Sequence, residues 1–163
     1  MVSFGRQRME RDMDDKWIRE TAKRVKGELE AKKIKDEKFL ETQKLKRDLG
    51  PGIWEELKDW LKGSCERLNA ELETEIAKFN QVNGEEVVVS GKGDGMDTTM
   101  TVIFNPSKST VEYHSQSGDP SKTFEITINS DGHAGFGAHG MPFCLAADDV
   151  GKEIMKHVLK LYP

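Results

Sequence analysis

Cysteine is scarce in this chain: Cys65 and Cys144 are the only two among 163 residues. That excludes a dense disulfide framework, and the pair lacks metal-ligand spacing, so two ordinary buried thiols are expected. Long apolar runs are missing too. Nothing approaches the 18 consecutive apolar residues of a membrane span, and the opening Met1 to Glu10 lacks the apolar stretch of a secretory signal. The expectation is a soluble, intracellular, cytoplasmic protein with no membrane partner. Proline is absent before Pro51, so nothing in the first fifty residues forbids helix. Aromatics make up 7% of the chain and charged residues 33%, which suits one small core under a large solvated surface.

Catalytic signatures are also lacking. No serine sits in a G-x-S-x-G elbow, and neither cysteine has the local sequence of a nucleophile. Abundant carboxylates on helical segments read as solvated faces. The expectation leans away from an enzyme and names no cofactor and no metal.

What is present is charge of unequal distribution. The net charge is −4, yet Met1 to Leu49 holds 15 Lys and Arg against 11 Asp and Glu, leaving the rest strongly acidic. From Met9 to about Leu49 the composition favours helix. Met9, Met13 and Trp17 start one apolar stripe, Ile18, Ala22, Val25 and Leu29 carry a shifted one, and Leu40, Leu45 and Leu49 resume after the polar stretch from Glu30 to Lys38. Too few clean heptads are present for a sustained coiled coil.

Gly50, Pro51 and Gly52 predict a stop, with a second helix over residues 53–79. Its stripe is Ile53, Leu57, Trp60, Leu61, Cys65, Leu68, Leu72, Ile76 and Phe79. A three-residue link predicts an antiparallel helical hairpin, with the basic first helix beside the acidic face of the second. Beyond it the period changes to two, and half-buried strands are expected within residues 85–138. Val87 and Val89 mark the first, Met100, Val102 and Phe104 the second, Val111 and Tyr113 the third, and Phe124, Ile126 and Ile128 the fourth; a weaker fifth covers His133 to Ala138. Short turn-rich links make them a meander, since parallel pairing needs longer crossovers. The helical period returns over residues 147–162. The predicted fold is α+β: an N-terminal helical hairpin, a four- to five-stranded antiparallel meander and a C-terminal helix. Two parts follow, a charged helical arm over residues 1–49 and a single α+β domain over 50–163.

Several motifs invite chemistry. Gly135-Phe136-Gly137-Ala138-His139-Gly140 matches G-x-G-x-x-G, but Met141 and Pro142 follow where a helix should open, so a glycine-rich bend or bulge at the sheet edge is expected. Gly91-Lys92-Gly93-Asp94-Gly95 lacks the rest of a P-loop and reads as a hairpin connection. His114, His133 and His139 define an imaginable metal cluster without a recognised ligand signature, and His157 reads as solvated.

Three functional readings remain. The first is a non-enzymatic module for protein–protein interaction or oligomerisation. Met9, Met13, Trp17, Phe39 and Leu40 are its partner-binding candidates, because they exceed what a solvated arm needs and do not fit one stripe. Trp17 leads, since buried aromatics dominate interface energetics. The second is a small-molecule binder or enzyme whose pocket, between sheet and helices, is lined by Met100, Phe104, Tyr113, Phe124 and Phe136 with His133 or His139 at its mouth. The third is nucleic-acid binding through the basic first helix, whose interleaved acids weaken it.

Overall fold

The first element, α1, runs from Ser3 to Leu72 without interruption. The computed structural model describes residues 3–93, 96–138 and 144–160, with side chains from residue 9 onward apart from residue 96. The chain divides into two compact units, Met1–Thr42 and Gln43–Pro163. The first is helical throughout its described residues. The second holds the rest of α1 and then β1 (Ala77–Asn83), β2 (Glu86–Gly93), β3 (Met96–Asn105), β4 (Thr110–Ser115), β5 (Ser121–Ile128), β6 (Ala134–Gly137) and α2 (Ala147–Leu159).

The expected helical hairpin is therefore corrected to a single helix. Pro51 lies inside α1. Gly50 is buried there because the sheet lies against it: a Cβ at this position would meet Ile126 Cδ1 at 3.3 Å and Phe104 Cζ at 3.6 Å. The glycine permits close approach of helix and sheet, and this packing outweighs the local tendency of Gly-Pro-Gly to turn.

The expected helix end at Phe79 is also corrected. α1 stops at Leu72, Glu73 takes the left-handed conformation at φ 51°, and Thr74 N–H donates to the Asn69 carbonyl at 3.2 Å. The Asn69 side chain then fixes the exit. Its Oδ1 accepts from Ile76 N and Ala77 N at 2.9 and 3.0 Å, and its Nδ2 donates to the Ala77 carbonyl at 2.7 Å. Of the residues spaced to extend a helical stripe, Ile76 lies in the link before an additional first strand and Phe79 lies within that strand.

All six strands pair antiparallel in the order β1-β2-β3-β4-β5-β6, one sheet with each strand beside its sequence neighbours. The register aligns the apolar alternates: Val87 faces Val102, which faces Tyr113, and Phe104 faces Val111, which faces Phe124. These residues are buried with Ile53, Trp54, Leu57, Leu61 and Cys65 of α1 and Val150, Ile154 and Val158 of α2.

Glycines set how close α2 comes. A Cβ on Gly91 would lie 2.5 Å from Val158 Cγ1, and one on Gly93 2.5 Å from the Leu159 carbonyl oxygen. The segment expected as a hairpin connection is thus strand through Gly93, its bare backbone lying under α2, while Asp94 and Gly95 lie outside the described residues. Likewise Gly135 and Gly137 belong to β6, where Phe136 exchanges backbone hydrogen bonds with Leu145 at 2.8 and 2.6 Å. A Cβ on Gly135 would collide with Cys144 Sγ.

α2 ends at Leu159 with Lys160 as a left-handed cap at φ 53°; Leu161 and Tyr162, expected to extend it, lie outside the described residues. Asp149 Oδ2 accepts from Ala146 N–H at 3.1 Å at the opposite end. Asp148 and Asp149 in the first turn and Lys156 and His157 in the last match the helix dipole.

Candidate functional site

The apolar residues singled out as a pocket lining are core side chains. Met100, Phe104, Tyr113, Phe124 and Phe136 are all buried. Phe104 stacks on Trp54 at 5.7 Å between centroids, and Phe124 meets Tyr113 at 6.1 Å and Phe136 edge-on at 6.2 Å. Such ring pairs fill the layer between sheet and helices. His133 is exposed, and His139 lies outside the described residues. His114 sits on β4 with Nδ1 3.6 Å from Glu112 Oε1. Among the described residues, no group of three or more His, Cys, Asp and Glu side chains converges as a metal site would require.

Sequence spacing missed Trp54. It neighbours Ile53 on α1, is buried, and donates from Nε1 to the Gly84 carbonyl at 2.7 Å, clasping the β1–β2 turn. Lys58, one turn on, is buried against the Trp54 ring with Nζ 2.6 Å from Glu55 Oε1. An indole one residue from a well-spaced stripe is the signal that was available.

A polar cleft of 590 Å³ opens where β3, the β4–β5 turn and the end of α2 meet. Asp97, Thr98, Ser115, Ser117, Asp119, His157 and Lys160 are among its lining residues. Ser115 takes a core-facing position on β4, yet it is polar. Its hydroxyl donates to the Asp119 carbonyl at 2.8 Å and lies 3.0 Å from Ser117 Oγ, so it braces the turn and is not coupled to a base.

His157, expected to be solvated, is half-buried, with Nε2 3.3 Å from the Tyr113 hydroxyl. Burial lowers its pKa below the usual 6.5; the Glu153 carboxylate opposes this and the Lys122 ammonium reinforces it. Lys122 itself pairs with Glu153 at 3.0 Å, tying β5 to α2. These contacts tie Ser115, His157 and Lys122 into the fold, while Thr98 Oγ1 and Glu153 Oε2 are buried without a hydrogen-bond partner. The cysteines divide: Cys65 is buried, its thiol pushed up to about 11 chiefly by desolvation and then by Glu66, whereas Cys144 is exposed, and both are free.

The partner-binding candidates lie on the first unit. Met9, Met13, Trp17, Ile18, Val25, Leu29, Ile34, Phe39 and Leu40 are exposed by between 43% and 68%. At about 100° per residue, Ile18, Ala22, Val25, Leu29 and Leu40 fall within an arc of about 60°. Met9, Met13 and Ile34 lie on the opposite side, with Trp17 and Phe39 between the two. The helix therefore does not gather the five candidates on one face. It presents a better-aligned row of which only Leu40 was among them.

Comparison with protein-family models, with curated proteins and with solved structures gives no match to this chain. The class is defined by its own geometry: an α+β protein with a six-stranded antiparallel meander and a C-terminal helix, preceded by one long helix. No described helix is long and apolar enough to cross a membrane.

Proposed function

We propose that this chain is a protein–protein interaction module, non-enzymatic, whose first helical unit binds another protein chain. One observation carries the reading: large apolar side chains stay exposed along residues 9–40, while the buried hydrophobic core among the described residues is drawn from Ile53 to Val158. Apolar surface of this extent on one element marks an interaction site more often than a solvated arm. Aromatic and methionine side chains are enriched at such surfaces, and Met9, Met13, Trp17 and Phe39 supply them.

The test is native mass spectrometry of the full chain against its denatured mass, with chemical cross-linking in extract to retain a weakly held protein. The expected result is a multiple of the chain mass or a stoichiometric protein partner. Trp17→Ala tests the leading aromatic candidate: a loss of about tenfold or more, the scale of an aromatic anchor, would place it in the contact. A chain that remains bare and monomeric in both experiments would overturn the proposal; a Trp17→Ala chain that assembles unchanged would remove Trp17 from the contact.

A further inference from the structure

Residues Arg11, Asp15, Ile18, Ala22, Val25, Leu29, Lys32 and Asp36 follow one another at strictly alternating steps of four and three. On a continuous helix this spacing places all eight on one seam. The seam reads almost the same in both directions: charged at each end, apolar across its four central positions. Every one of these residues is exposed.

Resting on the interaction reading above, we infer that the occupant of this seam is a second copy of the same chain, packed antiparallel about a two-fold axis between Lys23 and Arg24. In that register Ile18 meets Leu29 of the second copy and Ala22 meets Val25. Outside these apolar layers Asp15 meets Lys32, and Arg11 meets Asp36. Each pairing occurs twice by symmetry.

Charge complementarity selects this arrangement. In antiparallel helix pairs the positions flanking the seam face their own kind across the interface. Here that brings Asp14 to Lys35 and Asp12 to Lys33, both attractive, against one unfavourable meeting of Arg19 with Lys26. A parallel, in-register pair would instead stack Arg11, Asp15, Lys32 and Asp36 each on its own copy, four like-charged layers where such contacts cost most. The charges invert in sign about the centre of the seam, which makes it self-complementary across a two-fold axis; an unrelated helix has no reason to carry the matching pattern. Trp17 lies about 110° round the helix from the centre of this seam, outside its flanking positions.

Cysteine cross-linking in a Cys144→Ser chain tests this, since Cys65 is buried. Chains carrying Ile18→Cys and Leu29→Cys are prepared separately and mixed at high concentration, then treated with a mild oxidant or a short thiol-reactive cross-linker. The expected product is a covalent dimer containing one chain of each kind. Neither alone should react with itself, because residues 11 positions apart are separated by about 16 Å along the axis, beyond disulfide reach.

Self-coupling of the Ile18→Cys chain would mean a parallel pair and overturn the register while leaving the interaction reading intact. A chain that assembles by native mass yet gives no mixed product, or that binds only a different protein, would also overturn it and spare that reading. A bare monomer would remove both. Charge exchange supplies a second readout: Lys32→Glu should weaken self-association about threefold to tenfold, and adding Asp15→Lys should restore it. Failure of the double variant to recover excludes the Asp15–Lys32 layer.

Discussion

Gly151 shows how much a single missing side chain controls. It lies on the buried face of α2 directly over Trp60 of α1, and a Cβ there would overlap the indole ring. Alanine is ordinarily the better helix former, yet the overlap forces one helix away from the other. Gly151→Ala is expected to lower stability by about 1–3 kcal/mol, measured by urea unfolding. His157 gives a second residue-scale outcome. Its folded pKa is below 6.5, so between the folded value and 6.5 the unfolded chain binds more protons. The stabilisation is present above about pH 6.5 and is lost as pH falls through that window. The urea midpoint should drop between about pH 7.5 and 5.5, and His157→Gln should flatten part of that fall. An equal fall in the variant would assign the effect to another group. The sequence placed His157 correctly on a helix near its C-terminus; the Tyr113 hydroxyl beside it comes from a strand 44 residues away, which no local pattern carries.

At the scale of elements, the passage of α1 through Gly50-Pro51-Gly52 separates local preference from tertiary outcome. Proline inside a helix costs about 3 kcal/mol through its missing N–H and its clash with the preceding turn. If the segment were a turn, removing Pro51 would lose a favourable constraint. Because it is helix, Pro51→Ala is expected to raise stability, by up to about 3 kcal/mol, in the same unfolding assay. Gly50 should tolerate no such exchange for a large side chain, since Ile126 and Phe104 already fill the space. The strands were legible because Val87, Val89, Met100, Val102, Phe104, Val111, Tyr113, Phe124 and Ile126 alternate cleanly. β1 was not: only Ala77 is buried outright, its last four residues are exposed, and Ile76 and Phe79 continue the preceding helical spacing by coincidence. Its existence depends on β2 as a partner and on the Asn69 side chain that turns the chain towards it.

For the whole molecule, the buried hydrophobic core among the described residues runs from Ile53 to Val158. A chain of residues 43–163 is therefore expected to unfold cooperatively, with a far-ultraviolet spectrum of mixed helix and strand, while losing the association attributed to the first unit. Size-exclusion chromatography and thermal unfolding of that fragment check both halves of the statement; an unfolded fragment would show that the first unit supplies stability as well as surface.

The sequence by itself determined the class, the meander, the C-terminal helix and the helical nature of residues 9–49, because each rests on periodicities of 2 or 3.6 read over neighbouring residues. The self-complementary seam from Arg11 to Asp36 was legible in principle too, once a continuous helix is assumed. Only the tertiary structure decided that Gly50 to Gly52 continue one helix, that β1 exists, that Trp54 clasps the β1–β2 turn, and that Met100, Phe104, Tyr113, Phe124 and Phe136 close on one another as core. Those outcomes are fixed by contacts between residues distant in sequence, where the absence of a Cβ or the reach of an indole N–H decides the packing.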